Sequence, residues 1–261
     1  MQLVFKNNTE VVKYLEDNAE KVKNSRFSTR EADDFTNFKT YEQAFEGLKY
    51  GNTQYNNVFL DSLKDATDGE DGQAYTPDVT GLYYDMGAVT EGIPENAFNV
   101  TDNGEGKKTL KIYIDIAFVW NIPNKHLLNR GVAIFNLLNT LTLKGYILDV
   151  NFICDTYNNC THKYYNFTFK LPENEVNIPT IAFYTSPEFF RVINFVLLDI
   201  NASDPSDSRG KRNKKYTDGL FISGGYKADG EPDREIEQAI TTPEKAKNHI
   251  IKLFNDFISK Q

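Results

Sequence analysis

Asp115 is an acidic residue in an apolar stretch, IYIDIAFVW, where a strand runs into a loop. A carboxylate at such a place can bind a divalent cation when nearby side-chain hydroxyls complete its oxygen ligands. Ala117, Phe118 and Val119 offer no such oxygen. The sequence therefore favours a carboxylate that accepts hydrogen bonds from the protein itself, and it predicts no metal here.

Cys154, Cys160 and His162 form a second group with possible chemistry, because thiolates and imidazole bind zinc. Their C-x5-C-x-H spacing departs from the closer cysteine pairs of structural zinc sites, and the chain has no second cysteine pair to complete a site. A buried cysteine on a strand is the favoured interpretation of Cys154. We predict neither a metal nor a cofactor.

The segment SRGKRNKK concentrates positive charge in Arg209, Lys211, Arg212, Lys214 and Lys215. Such a cluster can contact phosphates or other anions. Three aspartates flank the segment and weaken its field, and no aromatic residue lies within it for stacking. A solvated loop is favoured over an anion site, and nucleic acid remains open as a partner only through this loop.

Catalytic and nucleotide-binding motifs are missing from the sequence. The glycine pair in ISGGY follows a strand, but it matches neither common glycine-rich phosphate loop. No G-x-S-x-G motif occurs, and neither cysteine stands in a recognisable catalytic context. Enzymatic activity is left open, and the sequence favours its absence.

Composition restricts the class of protein. The chain has 261 residues, of which 40% are hydrophobic, and its formal net charge is −8. This apolar share suffices for one good core, while the acidic excess disfavours general binding to phosphate backbones. Two cysteines make no disulfide framework, the N-terminus lacks a signal-peptide pattern, and the longest apolar run is too short for a bilayer. We expect a soluble intracellular protein that does not bind membranes.

The elements that position these residues form an α/β pattern. Alternating apolar residues predict a strand in TLKIYIDIAFVW, a helix in PNKHLLNRGVAIFNLLNTLTLKG and a strand in YILDVNFICDTY. Short loops between them imply a right-handed β-α-β unit with parallel strands. Next comes a further strand, which could lie at an edge of the sheet. It is followed by two helices, a short strand and a terminal helix. We predict a mostly parallel sheet flanked by helices in residues 71–261, after a mainly helical region in residues 1–70.

Four segments, taken in order, resemble a family of uncharacterised phage and prophage proteins. They are YYDMGAVTEGIPENAF, the strand-helix-strand segment 110–152, the helix-Pro-helix segment 178–199, and DGLFIS. The core of that family is similar to von Willebrand A-type domains, so the resemblance implies a von Willebrand A-like, Rossmann-type fold. In such domains the metal-binding strand end reads Asp-x-Ser-x-Ser, and this chain has Ala117 and Val119 at the two serine positions.

The charged positions that match this family are Asp85, Asp115, Arg130 and Arg191. Opposite charges in apolar surroundings usually pair. We therefore expect some of the four to meet near the carboxyl ends of the strands, where open α/β sheets place ligands and partners.

The resemblance and the missing motifs together predict a phage-encoded, non-enzymatic protein-interaction protein. Its partner would be a phage or host protein, and its location the host cytoplasm or the virion. Two alternatives stay open. One is a hydrolase or nuclease whose metal is held by Asp85, Asp115 and a further acid that the sequence does not identify, and the other is a structural component of the virion.

Overall fold

The computed structural model describes residues 1–29, 40–51, 53, 55–67, 75–78, 83–84, 97–100, 108–118, 122–171, 177–202, 208–211 and 215–259. The strands are β1 (Gln2–Phe5), β2 (Tyr75–Asp78), β3 (Tyr83–Tyr84), β4 (Ala97–Val100), β5 (Thr109–Asp115), β6 (Ile147–Asn158), β7 (Lys163–Lys170), β8 (Ser208–Gly210) and β9 (Leu220–Ile222). The α-helices are α1 (Asn8–Asp17), α2 (Ala19–Lys23), α3 (Tyr41–Tyr50), α4 (Asn56–Thr67), α5 (Asn124–Leu143), α6 (Ile178–Tyr184), α7 (Asn194–Asn201), α8 (Arg234–Ala239) and α9 (Pro243–Ile258). A π-helical turn, Phe189–Ile193, leads directly into α7.

The main sheet is mixed and has the strand order β1-β7-β6-β5-β9, with β8 pairing the far part of β6. The predicted β-α-β unit is present, since β5 and β6 are parallel and α5 connects them. Strand β9 also runs parallel to β5, whereas β7 and β8 run antiparallel to β6. The chain is therefore an α/β protein whose sheet is parallel around β5. A separate antiparallel sheet has the order β2-β4-β3.

Strand β7 lies inside the sheet rather than at its edge, because β1 pairs with it in parallel. The sequence pattern did not predict β1, which contributes only four residues. Its strand structure comes from a partner far along the chain: the main-chain amide of Asn166 donates to the carbonyl of Met1 at 3.0 Å. The N-terminal segment thus supplies an outer strand to the sheet as well as helices.

The hydrophobic core lies against one face of the main sheet. Strand residues that point to this face include Phe5, Ile112, Val150, Phe152 and Phe167, all of them buried. Side chains from α1–α7 and α9 complete the same core. The opposite face carries Tyr113, Asp115 and Asp155 among others, so polar and aromatic groups gather there.

Polar side chains cap the N-termini of several helices. Thr40 and Thr242 accept hydrogen bonds from the amides of Gln43 and Lys245 and so cap the starts of α3 and α9, as threonine commonly does. Helix α1 is capped by Asn7, whose side chain accepts from the amide of Glu10. Within the described ranges no single helix is long and apolar enough to cross a membrane; the bent pair formed by α6 and residues 189–201 meets that test by length and composition only.

Candidate functional site

Arg130 ties together the ends of two parallel strands. It lies in the second turn of α5, and its Nη2 donates to the carbonyl oxygens of Asp115 at 2.8 Å and Ser223 at 3.0 Å. A longer contact of 3.4 Å reaches the carbonyl of Ile222, the last residue of β9. The side chain is buried and its guanidinium lies 4.9 Å from the ring centroid of Phe118. Burial lowers the pKa of Arg130 to about 10, against the opposing charge of Asp115, so the side chain remains a cation at neutral pH.

The carboxylate of Asp115 accepts a hydrogen bond from the loop that directly follows it. It is buried, and Oδ1 accepts a hydrogen bond of 2.9 Å from the amide of Ala117. Ala117 is itself buried in the core, so this position packs where a metal-binding loop would present a hydroxyl. Val119 lies outside the described residues.

Gly224 lets the loop after β9 close against Asp115. A Cβ at this position would lie 2.5 Å from the carbonyl oxygen of Ala117 and 2.9 Å from Cγ of Asp115. The adjacent amide of Gly225 donates to the same Ala117 oxygen at 2.8 Å. The two glycines that follow β9 thus allow the backbone after β9 to pack directly against the backbone after β5.

Arg191 contacts the connection between β5 and α5. It lies in the π-helical turn, and its guanidinium donates to the carbonyl of Ile122 and to the side chain of Asn124. Two of the four charged positions picked out from the sequence, Asp115 and Arg130, therefore meet directly, and Arg191 contacts the start of α5. Asp85 lies outside the described residues.

Next to Arg191, Glu188 is a fully buried acid that sequence reasoning missed. Its Oε1 accepts a hydrogen bond of 3.1 Å from the hydroxyl of Tyr55. In the part of the chain that the structure describes, Oε2 has no hydrogen-bond partner. Burial raises the pKa of Glu188, and its hydrogen bonds and the charge of Arg191 oppose this only in part. The carboxyl is thus biased toward its neutral form.

Asp155 is a second buried carboxylate that the sequence did not single out. It lies on the same sheet face as Asp115, because Asp115 is in register with Ile153 of the neighbouring strand. Its two oxygens accept hydrogen bonds from Asn166 at 2.7 Å and from the hydroxyl of Tyr216 at 2.9 Å. Burial, followed by the charges of Asp155 and Asp115, raises the pKa of Tyr216. The position of Asp155 in an apolar strand segment could have marked it as a buried acid. Its partners, Asn166 and Tyr216, lie in other segments and could not be predicted from this pattern.

The cysteines do not form a metal centre in the described part of the chain. Cys154 is buried and Cys160 is exposed. Asn194 donates to Sγ of Cys154 at 3.1 Å, and burial raises the pKa of this thiol, so it stays protonated. No group of three or more histidine, cysteine, aspartate or glutamate side chains in the described ranges is arranged to bind a metal ion.

The basic segment meets aromatic residues from another part of the sheet. Lys211 donates its amide to the carbonyl of Asp155, and its Nζ lies 4.8 Å from the ring centroid of Tyr157. The ring of Tyr164 lies 4.8 Å from that of Tyr157, whose hydroxyl is 2.9 Å from Nδ1 of His162. Among the other basic residues, Lys215 is exposed, Arg209 is in register with Tyr157, and Arg212 and Lys214 lie outside the described residues.

A comparison with protein families gives one relationship for the whole chain. The family model described as a domain of unknown function (DUF7192) matches residues 1–252. The chain belongs to the DUF7192 family. The match covers the N-terminal helices and the α/β sheet together, so the DUF7192 domain includes both. No curated protein and no solved structure matches this chain.

In this DUF7192 domain, the strand ends around β5 are held by internal contacts. The guanidinium of Arg130 donates hydrogen bonds to the carbonyls of Asp115 and Ser223, and Gly224 packs closely against Asp115. Chemically, these groups fix the geometry of the connections after β5 and β9. Partly exposed aromatic side chains, Tyr157 and Tyr164, lie at the hairpin end of β6 and β7.

Proposed function

We propose that this DUF7192 protein is a non-enzymatic binding protein that recognises another protein through its surface. The observation that carries the proposal is the contact of Arg130 with the carbonyls of Asp115 and Ser223. Open α/β sheets commonly bind ligands at the carboxyl ends of their strands. Here an internal cation fills that position between β5 and β9, which favours binding elsewhere on the molecule.

The proposal extends to the architecture and the origin of the protein. We propose a von Willebrand A-like domain without its metal site, and the parallel β5-α5-β6 unit supports this relationship. Buried Ala117, at a position where such a metal site has serine, is in keeping with it. The resemblance of four sequence segments to phage and prophage proteins supports a phage-encoded protein that acts in the host cytoplasm or in the virion.

The test is affinity capture followed by a direct binding measurement. The tagged chain is used as bait in lysates of cells that carry its gene, and any enriched protein is purified and titrated against the chain by calorimetry. We expect one protein to be captured reproducibly and to bind with a defined stoichiometry. Capture of no reproducible partner, or a partner that fails to bind once purified, would count against the proposal. Mass spectrometry of purified particles then distinguishes a virion component from a cytoplasmic protein.

A metal-dependent hydrolase or nuclease is the second candidate, and one observation favours it. Asp115 and Asp155 are buried acids on the same face of neighbouring strands, and both raise the pKa of Tyr216 and of Cys154. Paired carboxylates are suitable ligands for magnesium or manganese. Against it, Asp155 already accepts hydrogen bonds from Asn166 and Tyr216.

Calorimetry separates the second candidate from the first. Magnesium, manganese and calcium are titrated separately into the native chain and into Asp115→Asn. Heat of binding in the native chain that disappears in Asp115→Asn would support the metal-dependent enzyme. The absence of heat in every titration would eliminate it and leave the binding protein.

A further inference from the structure

The end of the β6–β7 hairpin carries a compact group of aromatic and basic side chains. We define the hairpin patch as Tyr157, His162, Tyr164 and Lys211. The Tyr157 ring is at its centre, with the Tyr164 ring at 4.8 Å, the His162 ring at 6.3 Å and Nζ of Lys211 at 4.8 Å. Two separate parts of the sequence build it, namely the β6–β7 hairpin with its turn and the residue after β8.

The hairpin patch lies on the sheet face opposite the hydrophobic core. Tyr157 and Tyr164 are paired across the hairpin, on the same face as Asp155. His162 is exposed, and the other three side chains are partly exposed. Tyrosine is one of the residue types that contribute most to protein interfaces.

His162 has a backbone conformation that normally favours glycine. Its φ is 54°, and it is the one residue other than glycine with positive φ in the part of the chain that the structure describes. The left-handed conformation costs a residue with a Cβ about 1 kcal/mol. A histidine at this turn retains a ring that bonds the hydroxyl of Tyr157 and that glycine would lack. This strain is consistent with a function for the imidazole beyond closing the turn.

We propose that the hairpin patch is the partner-binding surface and that it binds an acidic segment of a protein; this inference rests on the proposed binding function. Lys211 supplies a cation, while Tyr157, Tyr164 and His162 supply rings and hydrogen-bonding groups. Lys215, four residues after Lys211, is also exposed. The carboxylates of an acidic segment complement these charges, and its apolar atoms can pack on the tyrosine rings.

A protein segment fits the patch better than a nucleic acid strand does. The chain carries a net charge of −8, which repels the continuous negative charge of a phosphate backbone. The rings of Tyr157 and Tyr164 are also tilted by 52° against each other, so they do not form the parallel faces on which successive bases stack. A short acidic segment needs only local charge complementarity.

The first test uses a defined probe and three variants. Fluorescence anisotropy follows the binding of a labelled short peptide of alternating glutamate and tyrosine, with oligothymidylate as the competing class of ligand. Lys211→Gln is expected to weaken peptide binding about threefold, as for an exposed charge contact. Tyr164→Ala is expected to weaken it about tenfold, as for an aromatic interface residue. His162→Gly should weaken binding while it raises Tm, because glycine relieves the left-handed strain.

Matched controls come from the helical side of the molecule. Tyr50→Ala removes an exposed aromatic side chain from α3, and Lys252→Gln removes an exposed charge from α9. Both should leave peptide binding unchanged. No binding to the native chain, equal binding by native chain and patch variants, or tighter binding of oligothymidylate overturns the proposal. A measured rise in the Tm of His162→Gly would show that its loss of binding does not come from unfolding.

A second arm keeps this inference separate from the proposed function. The captured partner is titrated against the native chain, the three patch variants and the two controls. A loss of affinity in the patch variants alone supports the hairpin patch as the binding surface. A partner that binds all six proteins equally overturns the patch but leaves the proposed function intact, whereas capture of no partner contradicts the proposed function itself.

Discussion

The guanidinium of Arg130 lies 2.8 Å from the main-chain carbonyl oxygen of Asp115 and 3.0 Å from that of Ser223. One side chain of α5 therefore bonds the backbone at the ends of two strands that are neighbours in the sheet. The interaction is with main-chain oxygens, so it depends on the position of the strand ends rather than on which side chains they carry.

Replacement of Arg130 by methionine tests how much these hydrogen bonds stabilise the fold. Arg130→Met keeps an apolar stem of similar length but leaves the buried carbonyls of Asp115 and Ser223 without the guanidinium. Since a buried polar group without its partner is costly, we expect the free energy of unfolding to fall by about 3 kcal/mol. Urea denaturation followed by circular dichroism measures the change.

The control for this variant is Lys125→Met, which removes an exposed cation from the first turn of the same helix. It should change the free energy of unfolding by less than about 0.5 kcal/mol. Equal effects of the two substitutions would show that the Arg130 contacts contribute no particular stability.

Gly224 provides a steric test of the closed loop. In Gly224→Ala the new Cβ would meet the carbonyl oxygen of Ala117 at 2.5 Å and Asp115 Cγ at 2.9 Å, so backbone must shift. We expect a loss of about 2–3 kcal/mol in the free energy of unfolding. Gly145→Ala is the comparison, because its φ is 81° but a Cβ there would have no atom of the described chain within 4 Å. It should cost only about 1 kcal/mol from conformation. A smaller loss at Gly224 than at Gly145 would contradict the close packing.

Glu188 predicts a pH-dependent stability. Burial raises its pKa in the folded protein, so the folded state holds a proton that the unfolded chain releases at lower pH. Its contribution to stability is complete below the unfolded pKa and is lost as pH rises through the folded pKa. Glu188→Gln cannot ionise. We expect it to gain stability relative to the native chain as pH rises from about 4 toward 8.

Thermal unfolding across this pH range measures the effect of Glu188→Gln. Glu46→Gln, which removes an exposed acid from α3, is the control for the loss of one negative charge. A constant difference in Tm between Glu188→Gln and the native chain at every pH would rule out a raised pKa as the cause.

The hydrogen bond from Tyr216 to Asp155 should be stronger than a neutral tyrosine bond. Tyr216→Phe removes the donor from a buried carboxylate and is expected to cost about 2 kcal/mol. Tyr14→Phe removes a bond of 2.7 Å to the amide oxygen of Asn201 and should cost about 1 kcal/mol. Both values come from urea denaturation. If Tyr14→Phe proved the more damaging, the bond from Tyr216 to Asp155 would not be the stronger of the two.

The β5-α5-β6 unit could be predicted from sequence because its evidence is local. Alternation in TLKIYIDIAFVW and helical spacing in the next segment determine the two kinds of element, and their short connections indicate parallel strands. Strand β1 could not be predicted in this way. Four residues carry too little periodicity, and its pairing partner β7 begins far along the chain.

In the candidate site, too, individual residues could be recognised from the sequence, whereas their contacts with distant segments could not. Asp115 and Arg130 were recognisable as charged residues in apolar surroundings, but charge pairing did not reveal that Arg130 binds main-chain oxygens. The aromatic neighbours of Lys211 were missed because Tyr157 and Tyr164 precede it by about fifty residues and reach it only through the β6–β8 pairing.

The parallel pairing of β1 with β7 has a consequence for the order of folding. The first residue contacts Tyr164 across 163 positions, so β1 cannot take its place until the β6–β7 hairpin exists. On the ribosome β1 is synthesised well before β7 and must wait, unpaired, while most of the sheet is made. Contacts of such long range slow folding and prolong the exposure of unpaired edges. The docking of this short strand is therefore expected to be a late step in folding.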